Sequence, residues 1–198
     1  MSSFSGAAGG AAGARVLPTL YVPGEQPYVR PGWAGFQTGT AVLIAGEEYF
    51  IPIYVSRTTT YDRIAISTQA GAAGLARLGI YNADDDLQPS TRILDAGTVD
   101  VSGAAGYKVK TISQELLEGF YFLTAVSDVA PTCYGPDATG MASLPITASG
   151  ANASVMKQAV LAVLNQEGHV AGGLPDPATT PEHDRDARYA IVSLREVL

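Results

Sequence analysis

Cysteine and basic residues are both scarce in this sequence, and each scarcity excludes a class of protein. The chain has one cysteine, Cys133, so it cannot form an intrachain disulfide or a thiolate metal cluster, and a small buried side chain is expected there. Its 12 Lys and Arg residues are outnumbered by 19 Asp and Glu residues, for a net charge of -7. Nucleic acids and anionic membranes are bound largely through clustered cations, so neither is expected as a partner.

Long apolar runs are absent as well. No segment approaches the roughly 20 apolar residues that a membrane-spanning helix needs, so no membrane insertion is predicted. The opening residues, MSSFSGAAGGAAGARV, lack the basic leader and the Leu-rich stretch of a secretory signal. We therefore expect synthesis in the cytosol, with any release from the cell by assembly or lysis.

Motifs that mark catalysis are missing too. The sequence has no G-x-S-x-G elbow and no GxxxxGK[ST] phosphate loop. The densest polar cluster, EHDRD at 182–186, places His183 between carboxylates, but neither of the two histidines has a histidine partner four residues away, so a solvated loop is expected. No enzyme activity, metal or cofactor is predicted. A glycan-cleaving carboxylate pair stays open as an alternative, because sequence cannot show the separation of two carboxylates in space.

The front end of the chain differs in composition from the rest. Residues 1–14 are mostly Ala, Gly and Ser and have little to bury, whereas residues 15–37 carry four prolines that disfavour a helix or a sheet ladder. Apolar and aromatic side chains alternate with those prolines. They are Leu20, Tyr21, Tyr28, Trp33 and Phe36. We interpret residues 1–37 as an extended arm that docks on another particle protein, with packing on its own domain as the equal alternative.

From residue 38 to 198 the sequence predicts one all-β domain, an antiparallel β-sandwich. Short runs rich in β-branched and aromatic residues alternate with Gly, Pro, Asp and Asn breaks, which is typical of sandwiches and barrels. The predicted strands lie near 40–45, 48–56, 60–67, 75–81, 92–95, 98–101, 107–113, 119–127 and 188–195.

Alternation along these strands predicts which side chains face the core. Ala76, Leu78 and Ile80 share one face, so Tyr81 is expected to point outward. The strand at 119–127 is apolar on both faces, which indicates a central strand or a face that meets a second subunit. The second possibility is one reason to expect a homotrimer.

One segment departs from the β pattern. In ANASVMKQAVLAVLNQEG, 151–168, apolar residues follow a possible cap at helical spacing, and Gly168 would end the helix. A short helix near 154–165 is predicted, and a strand over QAVLAVL is the alternative. Residues 171–187 are expected to form a long Pro- and Gly-rich loop.

The middle of the chain resembles a module found in bacteriophage virion proteins, namely tail fibres, spikes and head-attached fibres. The resemblance rests on consecutive motifs: VSRT at 55–58, YDRI at 61–64, RLGIY at 77–81, LDAGTV at 94–99 and GFYFL at 119–123. GGLPDPA at 172–178 and the closing strand are also similar, while residues 1–37 and the predicted helix lie outside the match.

This resemblance implies a jelly-roll-like sandwich, often trimeric, that is displayed on a virion and contacts host-surface carbohydrate. It brings no catalytic residues. The expected protein is a fibre, spike or tail-tip subunit that recognises host glycan and binds other virion proteins through residues 1–37. The alternative is a non-catalytic decoration or adaptor protein that joins capsid or tail to a larger fibre.

Sugar binding requires exposed aromatic faces beside groups that bond hydroxyls. Tyr81, Asp84, Asp85 and Tyr134 are the candidates, because Tyr81 precedes the acidic run at 82–86 and Tyr134 lies in the predicted loop PTCYGPD. A packing role for each tyrosine is the competing interpretation. The acidic run could also bind calcium through its oxygens, but it lacks EF-hand spacing. An acidic hairpin tip is therefore the preferred interpretation.

Overall fold

The structure is a computed structural model that describes residues 28–29, 38–136, 161–163, 166–181, 183–184 and 192–197. This part of the chain contains twelve β-strands and one short helix. In chain order, the elements are β1 (Tyr28–Val29), β2 (Thr38–Val42), β3 (Glu48–Val55), β4 (Thr59–Ala70), β5 (Leu75–Ala83), β6 (Pro89–Asp100), β7 (Gly106–Leu116), β8 (Gly119–Ser127), β9 (Thr132–Pro136), β10 (Leu161–Val163), α1 (Glu167–Gly172), β11 (His183–Asp184) and β12 (Val192–Glu196).

The strands form two six-stranded antiparallel sheets. In sheet I the order of the strands is β1-β12-β4-β9-β2, and β7 pairs with the edge of β4 that is opposite β12 and β9. In sheet II the order is β11-β10-β3-β8-β5-β6. The long strand β4 organises sheet I, since Thr68 pairs with Gly106 of β7 on one side and Cys133 of β9 on the other. This architecture confirms the predicted all-β sandwich, while the jelly-roll order of its connections stays a prediction.

The main core lies between the two sheets. The strands β3, β5 and β8 contribute every second side chain to it, as the period of a β-strand requires. Ala76, Leu78 and Ile80 of β5 are buried there, which confirms the predicted inward face, and so are Val192 and Leu194 of β12.

A second apolar cluster covers the opposite, outer face of sheet II. Phe50, Tyr81, Phe122 and Val126 point away from the main core, and Val170 of α1 and Leu174 pack onto them. Phe122 and Val126 on the outer face of β8 are therefore buried within one chain, because α1 and the residues after it form a third layer, whereas Phe120 on that face is exposed. At Phe122 and Val126, the apolar outer face of β8 thus gives no reason to expect a second subunit.

The prediction of a helix near 154–165 is wrong where the structure describes that segment. Leu161–Val163 is strand β10, which pairs with β3 and β11, as the strand alternative required. The helix begins at Glu167 instead, and Gly168 lies inside it. Two strand partners outweigh local helical spacing here, since short apolar runs fit either structure. Residues 154–160 lie outside the described part of the chain.

The division of the chain into strands differs from the prediction in two places. The strands predicted at 92–95 and 98–101 are one strand, β6, with a register shift where Leu78 pairs with Gly97 and Gly79 with Asp95. Gly97 has a φ of 80°, and this left-handed residue lets the strand bulge and continue. The PTCYGPD segment, predicted as a loop, contributes strand β9 and pairs with β2.

The front arm is described only at Tyr28–Val29. These two residues pair with Leu194 and Arg195, so β1 extends sheet I of its own chain. Leu20, Tyr21, Trp33 and Phe36 lie outside the described residues. At this one point the arm packs on its own domain, as the alternative interpretation required.

Candidate functional site

The four predicted sugar-binding residues do not come together in one place. The expectation that Tyr81 points to solvent is wrong, because its side chain is fully buried under the third layer. Its hydroxyl donates a hydrogen bond to the carbonyl oxygen of Pro175 at 2.9 Å. Burial raises the pKa of Tyr81 far above its ordinary value. The alternation of side chains along β5 does place Tyr81 on the face opposite Leu78, as predicted, but the third layer covers that face.

Asp84 and Asp85 lie at the exposed turn between β5 and β6. Asp84 Oδ1 accepts hydrogen bonds from the backbone N–H groups of Asp86 (3.0 Å) and Gln88 (2.8 Å), so this carboxylate closes the turn. Leu87 sits at a φ of 55° within it. The acidic run is thus the hairpin tip that its composition suggests by default. Among the described residues, no group of three or more His, Cys, Asp or Glu side chains could hold a metal ion.

Tyr134 belongs to the other sheet. It is half-buried in β9 and pairs with Thr40 of β2, whereas the turn with Asp84 connects two strands of sheet II. In the polar cluster at 182–186, the backbone of His183–Asp184 forms strand β11. Glu182, Arg185 and Asp186 lie outside the described residues.

An exposed aromatic pair lies on sheet II instead. Tyr54 of β3 and Phe120 of β8 occupy paired positions, with ring centroids 4.8 Å apart and ring planes inclined by 49°. Their side chains are 54% and 43% exposed. The Tyr54 hydroxyl donates a hydrogen bond to Glu118 Oε1 at 3.0 Å, and this bond raises the pKa of Tyr54 above its ordinary value. We refer to Tyr54, Glu118 and Phe120 as the aromatic patch.

The alternation of residues along β8 could have indicated part of this patch. Phe120 shares the outer face of β8 with Phe122 by simple alternation, but Phe122 is buried against the third layer and Phe120 is not. Only the position at which α1 and residues 173–178 stop covering the sheet separates the two. That position is a tertiary feature and has no local pattern.

Beneath α1 lies a buried polar pair. The fully buried Glu48 accepts the hydroxyl of Thr124 at Oε1 (2.9 Å) and contacts Nδ1 of His169 at Oε2 (2.8 Å). Burial raises the pKa of Glu48, and the hydrogen bonds from His169 and Thr124 oppose that rise. Both carboxylate oxygens are engaged within the fold, so the pair fastens α1 to sheet II.

A second polar group fastens the segment after α1. Arg77 Nη1 lies 2.8 Å from both oxygens of Asp95, and its Nε donates to the carbonyl of Val170 at 2.9 Å. Asp95 in turn accepts the N–H groups of Gly97 (2.9 Å) and Leu174 (3.1 Å). Burial pushes the pKa of Asp95 upward, but these bonds hold it below its ordinary value. This arrangement is typical of a structural clamp.

The sheet makes room for that segment at Gly79. A Cβ atom at this position would lie 2.2 Å from Leu174 Cδ1 and 2.6 Å from the carbonyl oxygen of Leu94. Leu174 therefore packs directly on the strand backbone, and a side chain at position 79 would displace it.

Comparisons of the sequence and structure with family models, curated proteins and solved structures find no match. Among the described residues, no helix is long and apolar enough to cross a membrane.

Proposed function

We propose that this chain is a non-catalytic subunit of a bacteriophage-type particle, displayed as part of a fibre, spike or tail tip, where it recognises host-surface carbohydrate. Its place of action is the virion. Its partners are further copies of itself in a jelly-roll-like homotrimer, other virion proteins that bind residues 1–37, and the host glycan. The proposal extends the motif resemblance to function.

One observation carries the proposal: three of the motifs, far apart in sequence, are joined in the fold by hydrogen bonds, an ion pair and close packing. Arg77 and Tyr81 of RLGIY bind Asp95 of LDAGTV and Pro175 of GGLPDPA, across as many as 94 positions. Gly79 of the first motif receives Leu174 of the last. Co-occurrence of these motifs therefore has a physical reason, since each completes the packing of the others. This supports the interpretation that the resemblance reflects a whole folded module.

The same unit supports a non-catalytic role. A general acid or base must reach its substrate proton by a direct hydrogen bond or through one water. The carboxylates of Glu48 and Asp95 are instead bonded to groups of their own chain beneath the third layer. Both carboxylates therefore have structural partners within the fold.

Binding of the isolated full-length protein to host cells tests the proposal. We expect saturable adsorption that purified host envelope polysaccharide competes away, and inhibition of infection by the same protein. Polysaccharide oxidised with periodate, which opens sugar rings, is the matched control and should not compete. No release of reducing ends is expected. Absence of adsorption to every host that the parent particle infects would contradict carbohydrate recognition.

The adaptor function is the second candidate, and the outer face of sheet I favours it. Tyr107 and Val109 are both exposed on the same face of β7, as an apolar surface for another protein would be. An adaptor would bind a second virion protein stoichiometrically and would not adsorb to cells. Removal of residues 1–37 should abolish that binding.

A further inference from the structure

We infer that the aromatic patch of Tyr54, Glu118 and Phe120 is the binding site for a neutral hexopyranose unit of a glycan. This inference rests on the proposed function and deepens it, because it names the site and the sugar class. The residues predicted from sequence for that role are different ones. Tyr81 among them is buried, so it offers no ring face to a ligand.

The aromatic patch lies on the outer face of sheet II and is not a partly exposed edge of the main core. Phe50, Phe122, Tyr54 and Phe120 share the outer face of sheet II, as their alternation with core residues shows. The first two are at most 1% exposed under the third layer, while Tyr54 and Phe120 are 54% and 43% exposed. The third layer thus leaves one end of an aromatic face open.

The chemistry of the patch matches a pyranose ring. Aromatic faces attract the weakly positive C–H groups on the apolar side of a sugar, as they do the positive edges of other rings. The 49° inclination of the two rings offers one face for stacking and a second ring as a side wall. Glu118 supplies an acceptor for sugar hydroxyls, because a carboxylate has about four lone-pair sites and Tyr54 uses one of them.

Rigidity is built into the same residues. The strands β3 and β8 pair without interruption over eight residues, from Glu48 with Val126 to Val55 with Gly119. The hydroxyl of Tyr121 donates to the carbonyl of Leu117 at 3.0 Å, which anchors the turn that carries Glu118. The bond from Tyr54 to Glu118 joins the two side chains at the surface, and an arrangement formed before binding lowers the cost of binding.

Size and charge indicate a sugar as the occupant. Two half-exposed aromatic side chains offer on the order of 200 Å², which suits a small ligand, whereas a stable protein interface buries about 800 Å² per partner. The acidic patch on a chain of net charge -7 disfavours acidic sugars and anionic lipid headgroups. A neutral hexopyranose therefore fits best.

Glycan binding by surface variants tests the site. The probe is an array of neutral hexose oligosaccharides together with purified host polysaccharide. Tyr54→Ala and Phe120→Ala should each weaken binding about tenfold or more, since each removes a stacking face. Tyr54→Phe keeps the ring and loses only the bond to Glu118, so it should bind between wild type and Tyr54→Ala. Val42→Ala is the control, because Val42 is 55% exposed but lies in β2 of sheet I.

The outcomes separate this inference from the function on which it rests. Wild-type affinity in both alanine variants, with glycan binding intact, would overturn the site and leave the proposed function standing. Failure of the wild-type protein to bind any neutral glycan or host polysaccharide would overturn both. Chemical shifts of the Tyr54 and Phe120 ring protons on titration of wild type give a second readout that needs no substitution. We expect them to move with the ligand, and unchanged shifts at saturation would count against the site.

Discussion

At the scale of single residues, Gly79 shows how close packing restricts one position. We predict that Gly79→Ala destabilises the protein by about 1–3 kcal/mol, because the added methyl group meets Leu174 and the backbone of Leu94. Urea unfolding followed by far-UV circular dichroism measures the change. Gly168→Ala is the matched control, since nothing lies within 4 Å of its Cβ and alanine is the better helix former. Equal stability of Gly79→Ala and wild type would contradict the described packing of Leu174.

Glu48 makes the stability of the fold depend on pH. Its pKa in the folded protein is raised above its ordinary value of 4.5, chiefly by burial. Between those two values the folded state holds more protons than the unfolded chain, so this group's contribution to stability is present below pH 4.5 and is lost as pH rises through the folded pKa. We predict that Glu48→Gln, which cannot ionise, becomes progressively more stable relative to wild type as pH rises from about 4.5.

Urea unfolding at a series of pH values measures this difference, and Asp62→Asn supplies a control of opposite sign. The hydrogen bonds from Arg195 hold the pKa of Asp62 below its ordinary value, so its stabilising contribution is lost as pH falls. A Glu48→Gln difference that is flat across the pH series would show that the pKa of Glu48 is the same in the folded and unfolded states, which would contradict the predicted rise.

At the scale of elements, the third layer depends on a few apolar contacts. We predict that Leu174→Ala costs about 2–5 kcal/mol, because Leu174 is buried against Phe50, Tyr81 and Phe122. Hydrogen exchange should show loss of protection in α1 before β8. Leu117→Ala should change stability by less than about 0.5 kcal/mol, since Leu117 is 62% exposed. Similar effects of the two substitutions would mean that the layer contributes little.

Strands with regular alternation could be predicted from sequence, and elements made by tertiary pairing could not. The strand at 75–81 alternates apolar with other residues and was placed correctly, including its inward face. β10 is three residues long and exists because β3 and β11 flank it, so its local helical spacing was misleading. β9 was missed because Pro131 and Gly135 suggested a loop, although β2 provides a partner for the segment.

At the scale of the whole molecule, Cys133 reports on the integrity of the sandwich. It lies in the core between the sheets, and burial raises the pKa of its thiol to about 12. Since the thiolate is the reactive form, we predict no labelling by thiol reagents near neutral pH while the sheets stay together. Mass spectrometry after timed exposure to iodoacetamide measures the reaction, with protein in urea as the positive control. Rapid labelling of the native protein would show that β9 opens locally.

The oligomeric state is the other whole-molecule question. The third layer buries Phe122 and Val126 on the outer face of β8 within one chain, so the trimer prediction now rests chiefly on the resemblance. Light scattering of the full-length chain at high concentration measures it. A monomer there would contradict the homotrimer and leave the fold of the single chain unchanged.

The sequence by itself determined the class of fold, because side chains that alternate every second residue can bury an apolar face only in a sheet. It also determined that the single cysteine cannot form an intrachain disulfide. Tertiary structure decided which outer faces are covered. Tyr81 and Tyr54 both point away from the main core, and α1 with residues 173–178 buries one and leaves the other exposed. Burial depends on elements distant in the chain, so a local pattern assigns a side chain to a face but not to solvent.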